Sequence, residues 1–154
     1  MGVSGVGKST IGKILSEKLA IPFFDGDDFH PPSNILKMSK KQALTDEDRE
    51  PWLKNLNALA IEQIETGSCI IGCSALKQSY RDRLSKDIED QCVWVHLQGT
   101  FEQIMTRLKN RAGHFMPAEL LKSQFDTLQD STESIDIDIK FTPEVIVEKI
   151  IEDL

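Results

Sequence analysis

Gly2-Val3-Ser4-Gly5-Val6-Gly7-Lys8-Ser9 fits the pattern G-x-x-x-x-G-K-[ST], in which each residue type has a physical task. The glycines let the backbone N–H groups of residues 2–7 turn inward around a phosphate. Lys8 brings a point charge to the β- and γ-phosphates of a nucleotide such as ATP, and the Ser9 hydroxyl serves as a Mg²⁺ ligand. Thr10 adds a second hydroxyl near the α-phosphate. The helix that follows carries Ile11, Ile14, Leu15 and Leu19 on one face and aims its N-terminal amides at the same anion. A Gly-rich turn capping an ordinary helix is the plainer alternative, but the eight-position pattern is demanding and the helix is well placed. Such a loop leaves a buried strand, and here only Met1 precedes Gly2. The expectation is a sheet whose first, central strand is missing or truncated, with unpaired backbone groups on both neighbours and a hole in the core.

With 154 residues the chain suits a single domain, 1–154, large enough to bury a real core. Its formal net charge of -7 disfavours general affinity for nucleic acid or an anionic membrane. No apolar run reaches the length of a membrane span and the N-terminus does not read as a signal peptide, so a cytoplasmic protein is expected. Cys69, Cys73 and Cys92 lie in apolar runs and read as small hydrophobes in a reducing compartment. With no CxxC and with His30, His96 and His114 scattered, a structural zinc site is not expected.

Strand-like and helix-like segments alternate, the mark of an α/β protein with a mainly parallel sheet flanked by helices. Ile21–Phe24, Cys69–Cys73, Cys92–Leu97 and Ile135–Ile139 read as strands. Trp52, Leu53, Leu56, Ala60 and Ile64 form one helical stripe with Gly67 as a stop. Thr100 and Gln103 resemble a capping box, and Pro117 and Pro143 suit first helical turns. The charged stretch from Ser85 to Asp90 reads as a solvated connection.

Ligands of parallel sheets gather beyond the carboxyl ends of strands, which directs attention to four stretches. Asp25-Gly26-Asp27-Asp28-Phe29-His30 clusters carboxylates that call for a cation or polar ligand. Cys73–Asp82 carries Lys77 and Arg81, four apart and expected on one face, a cationic pair suited to a carboxylate or phosphate. In Thr45–Trp52 the acids suit a helix N-terminus, whereas Arg49 gains nothing from that end of the dipole and is a candidate substrate ligand. Arg107-Leu108-Lys109-Asn110-Arg111-Ala112-Gly113-His114 looks like a helix running into a basic lid that supplies cations to a transferring phosphoryl group. The plain readings of these stretches are an acidic turn, a solvated basic face and a cation-rich helix end.

GVSGVGKST, DGDDFHPPSN, LTDEDREPWL, CSALKQSYRD and GHFMPAELLKSQFDTLQ together resemble the P-loop gluconate kinases, relatives of shikimate kinase. The resemblance spans almost the whole chain. The phosphate loop alone would point only to a superfamily, and CSALK-x-x-YRD with the GHF run is far more specific. It implies a P-loop NTPase-type three-layer sandwich, with substrate-binding helices at about 31–66 and a lid at about 107–128. It also implies transfer of the ATP γ-phosphoryl group to the 6-hydroxyl of D-gluconate, feeding the pentose phosphate pathway, and a homodimer. Carried over by residue, Gly5, Gly7, Lys8, Ser9 and Thr10 resemble the ATP and Mg²⁺ cradle. Asp25 is expected near the metal and Asp27 as acceptor of the substrate's hydroxyl proton. His30, Arg49, Lys77, Arg81, His114 and Gln124 are expected to line the gluconate site, and Arg107 and Arg111 to act as lid or adenine-stacking cations. Asp130-Ser131-Thr132-Glu133-Ser134 is shorter and less proline-rich than the family leads one to expect.

A shikimate or nucleoside monophosphate kinase is the rival within enzymes, and CSALK-x-x-YRD speaks against it. A nucleotide-binding regulatory remnant without turnover is the rival of another class. It would bind ADP while remaining silent in assays at any gluconate concentration.

Overall fold

A computed structural model describes residues 1–40, 42–110 and 118–154. Pro117, Arg111 and His114 therefore lie outside the described residues. Four short strands form two parallel pairs. β1 (Phe23–Asp25) runs beside β2 (Ile70–Gly72), with Asp25 opposite Gly72. β3 (Trp94–Gln98) runs beside β4 (Ser134–Asp138), with Gln98 opposite Asp138. All four expected strands are present, and every described pairing is parallel.

The two pairs are stitched together by Met1 and Gly2. The Gly2 amide donates to the Ser74 carbonyl at 3.1 Å, beyond β2, and the Leu97 amide of β3 donates to the Met1 carbonyl at 3.0 Å. The Met1 ammonium donates to the Val95 carbonyl, and burial pushes its pKa down to about 6. These two residues thus make the ladder contacts of a central strand. A cavity of about 400 Å³ adjoins Met1, with a lining that includes Ile11, Leu15, Ile71, Cys73 and Val95.

Helices flank the short sheets. α1 (Lys8–Leu19) and α7 (Pro143–Glu152) pack on each other, and Thr142 caps α7 by accepting from the Val145 amide. α2 (Pro32–Ser39) leads to α3 (Asp46–Thr66), which begins with a capping box between Thr45 and Asp48 and ends at Gly67. α4 (Gln78–Leu84), α5 (Phe101–Asn110) and α6 (Ala118–Thr127) complete the set. Gln103 accepts from the Thr100 amide at 2.8 Å, the capping box expected at the head of α5. The buried side chains form two clusters. Val3, Val6, Ile11, Leu97, Ile104, Ile137 and Ile146 belong to one cluster, and Trp52, Leu53, Leu56, Cys73, Tyr80 and Leu84 to the other.

One stretch departs from expectation. The Ser85–Asp90 connection is partly interior: Ser85 donates to the Arg81 carbonyl at 3.0 Å, and Ile88 is buried. The close approach of α1 to the sheet requires a glycine at residue 12. A Cβ there would stand 2.2 Å from the Phe23 ring, and one at Gly72 would stand 3.0 Å from the same ring. The Phe23 ring thus lies close to both glycines.

Candidate active site

The phosphate loop has the backbone its sequence demands. Gly5 and Gly7 adopt φ of +88° and +106°, a region that side chains with a Cβ rarely occupy. At Gly5 a Cβ would also meet Leu108 at 2.9 Å. Gly7 is the N-cap of α1, so the first amides of that helix open into the loop. Lys8 folds back over the loop and donates to the carbonyls of Gly2 at 3.0 Å and Val3 at 3.1 Å. Burial lowers its pKa, against the opposing pull of Asp27, Cys73 and Asp25. Thr10 is exposed on the first turn of α1.

Two side chains from distant parts of the chain grip the loop from outside. Gln124 of α6 accepts from the Ser4 amide at 2.7 Å. Arg107 of α5 donates to the Val6 carbonyl at 3.3 Å and to the Ile139 carbonyl just past β4. Gln124, a candidate for the gluconate site, is in this structure a partner of the loop backbone.

Opposite the loop stands the end of β1. The Ser9 hydroxyl donates to Asp25 Oδ2 at 2.6 Å, and Asp25 Oδ1 accepts from the Asp27 amide at 3.2 Å. Asp27 then lies exposed in a short 3-10 helix, Gly26–Phe29. That turn is held from below: the Trp52 indole donates to the Gly26 carbonyl at 2.7 Å in a buried bond. His30 stacks on Trp52 with ring centroids 4.5 Å apart. The buried Asn34 amide bridges His30 Nδ1 at 3.3 Å and the Asp48 carbonyl at 2.8 Å. Burial keeps the His30 pKa below its ordinary value, despite Asp27.

The third wall is the start of α4 against the start of α3. Lys77 Nζ lies 2.8 Å and 2.7 Å from the two carboxylate oxygens of Asp46, and the Tyr80 hydroxyl donates to the same carboxylate at 2.5 Å. The Lys77 bond, then the Tyr80 bond, hold the Asp46 carboxyl below its usual range. Arg49 stands over the Tyr80 ring, 5.6 Å from its centroid, and donates to the carbonyls of Leu44 and Thr45. Those carbonyls give it a local reason to sit at a helix N-terminus.

Residues 4–154 match the shikimate kinase family. The thermosensitive gluconokinase of Escherichia coli (strain K12) is 47% identical over 146 residues, covering 90% of this chain and 76% of that protein. The gluconokinase of Gluconobacter oxydans (strain 621H) is 42% identical over 155 residues, covering 98% and 86%. Among solved structures, a gluconokinase from Sinorhizobium meliloti 1021 superposes with a TM-score of 0.86 at 39% identity, covering 97% of this chain and 85% of that one. The chain belongs to the gluconokinase branch of the shikimate kinase family. This is a family of P-loop kinases, which use a nucleotide, and residues 2–9 carry the matching phosphate-loop pattern.

Within this gluconokinase framework the candidate residues separate. The structure brings together Lys8, Ser9, Asp25 and Asp27, with His30 flanking them. It does not pair Lys77 with Arg81. The four-residue spacing is real, but α4 begins at Gln78, so Lys77 is the N-cap with extended backbone, and its ammonium goes to Asp46. Arg81 turns inward and is buried, donating to the Ala75 carbonyl at 3.0 Å, the Asp130 carbonyl at 3.1 Å and the Gln78 side chain. Sequence reasoning missed Asp46, Tyr80, Asn34 and Gln129, whose roles rest on long-range contacts. Gln129 accepts from the Gln78 amide at 2.7 Å and donates through its own amide to the Leu76 carbonyl at 2.8 Å, tying the end of α6 to the head of α4.

Proposed function

We propose that this chain transfers the γ-phosphoryl group of ATP to the 6-hydroxyl of D-gluconate, giving 6-phospho-D-gluconate. The observation that carries the reading is the meeting of Ser9 and Asp25 at 2.6 Å, which sets a phosphate loop directly against the carboxylates at the end of β1. Relatives described as gluconokinases at 42–47% identity supply the acceptor.

Phosphoryl transfer passes through a loose transition state, so position and charge neutralisation carry most of the catalysis. Lys8 shifts from its loop carbonyls to the β- and γ-phosphates. Ser9 Oγ and Asp25 are two hard oxygen donors already in contact, a set that fits Mg²⁺. When bound, the ion would withdraw charge from the phosphate oxygens. Asp27 orients the acceptor hydroxyl and takes its proton late. His30 and Lys77 face the polyol and its carboxylate, with Arg49 beside them. Arg107 borders the nucleotide, and Gln124 and Arg81 act as braces. Arg111 and His114 are assigned to a lid spanning about 107–128, and helices within about 31–66 to the acceptor side of one domain, 1–154. No helix among the described residues is long and apolar enough to cross a membrane. A cytoplasmic homodimer serving the pentose phosphate pathway completes the proposal.

A panel of acceptors with ATP and Mg²⁺ tests it. Phosphate transfer to D-gluconate, with little to shikimate or nucleoside monophosphates, is the expected result. Transfer to shikimate or a nucleotide and none to gluconate overturns the substrate. ADP binding with no turnover on any acceptor would favour a regulatory role instead.

A further inference from the structure

Four candidate cations of the site are engaged by neutral groups. Lys8 donates to the carbonyls of Gly2 and Val3, and Arg49 to those of Leu44 and Thr45. Arg81 donates to the Ala75 and Asp130 carbonyls and to Gln78, and Arg107 to the carbonyls of Val6 and Ile139. Lys77 is different, because its partner is a carboxylate. Asp46 places one oxygen at 2.8 Å and the other at 2.7 Å from Nζ, and it also receives the Tyr80 hydroxyl.

The seat is more enclosed than its occupant. Tyr80 is buried, with 3% of its surface exposed, and Lys77 is fixed at the head of α4. Asp46 is the first residue of α3, and its side chain is 57% exposed. It is also dispensable to the helix start, since Thr45 and Asp48 complete the capping box without it. A change of rotamer would clear the seat without opening the core. A sugar acid brings one carboxylate, so one carboxylate would replace another and the local charge would not change.

We propose that Asp46 is an internal stand-in for the substrate's carboxylate, occupying the seat made by Lys77 and Tyr80 until a sugar acid displaces it. The proposal rests on the gluconate reading for its natural ligand but not for the seat itself. Asp46 thereby sets how much substrate is needed, and it keeps neutral polyols out, since these cannot compete for Lys77.

The test is D46N, with D46S as a second variant should the first fold poorly. Steady-state kinetics at saturating ATP and Mg²⁺ should give a gluconate KM roughly twofold to fivefold lower, the scale of one exposed charge pair, with kcat and the KM for ATP unaltered. In a K77M background the D46N change should leave KM where K77M put it. A KM that rises or stays level on D46N would mean that Asp46 merely positions Lys77, and the proposal fails. Tyr80 is the only tyrosine of the chain, so ¹³C-tyrosine labelling gives a second readout independent of turnover. Its signal should shift in D46N and move back on titration with acetate. No acetate response in D46N overturns the seat, whereas an acetate response without gluconate turnover leaves the seat standing and removes only the substrate.

Discussion

Ser9 and Asp25 are joined by a 2.6 Å hydrogen bond that ties the first turn of α1 to the last residue of β1. The bond holds two oxygen donors at the mouth of the phosphate loop before any ion is present. D25N keeps the shape of this contact and removes the charge. The variant should lose at least ~10² in kcat at ordinary Mg²⁺ and require several-fold more Mg²⁺ for half-maximal rate. A Mg²⁺ titration of the initial rate checks this, and an unchanged titration curve would free Asp25 from the metal.

Lys8 should separate catalysis from stability. Its ammonium rests on two loop carbonyls in a setting whose burial lowers its pKa. Lys8→Met removes the charge that the γ-phosphate needs, and kcat should fall at least ~10². Replacing a desolvated cation by an apolar side chain of similar length should leave Tm level or raise it. Near-wild-type turnover in Lys8→Met would remove the mechanism.

Stability should decline on mild acidification. His30 lies stacked on Trp52, and His96 is buried with Nδ1 3.5 Å from Asp136. In both, burial is the largest influence and pushes the pKa below the ordinary 6.5. As pH falls through 6.5 the unfolded chain takes up these protons first, so it binds more protons than the folded one and the folded state loses free energy. The loss is complete once pH passes below the folded values. Tm should therefore drop between about pH 7 and pH 5, and H96Q should flatten that slope whatever it does to Tm itself. A Tm that climbs on acidification would contradict the sign.

Gly12→Ala should overpack the seam between α1 and β1. The new methyl would fall 2.2 Å from a Phe23 ring that already lies close to Gly72. A cost of about 1–3 kcal/mol is expected by urea unfolding. Shrinking Phe23 with F23L in the same chain should recover part of it, a coupling that a double-mutant cycle measures.

The phosphate loop was legible because its residues act through their own backbone and side chains. The four strands were legible from short β-branched runs, and the heads of α5 and α7 from local capping. The cation pair was not. Lys77 and Arg81 are four apart, yet a helix that begins one residue after Lys77 sends the two in different directions. Asp46 reads locally as an acid at a helix N-terminus, and nothing nearby announces partners 31 and 34 residues away. Gln124 likewise faces the loop across 120 residues. Contacts of that span are set by how elements dock, which periodicity does not encode.

Met1 and Gly2 join the strand pair that ends in Asp25 to the pair that ends near Arg107's anchor at Ile139. The same residues are the root of the phosphate loop, the proposed nucleotide cradle. Whatever fills that cradle must also clasp the acceptor half of the molecule to the donor half, because ligand binding and cohesion of the folded state are thermodynamically linked. Loading with nucleotide should thus act as a fastener, making the protein hardest to pull apart when it is ready to react.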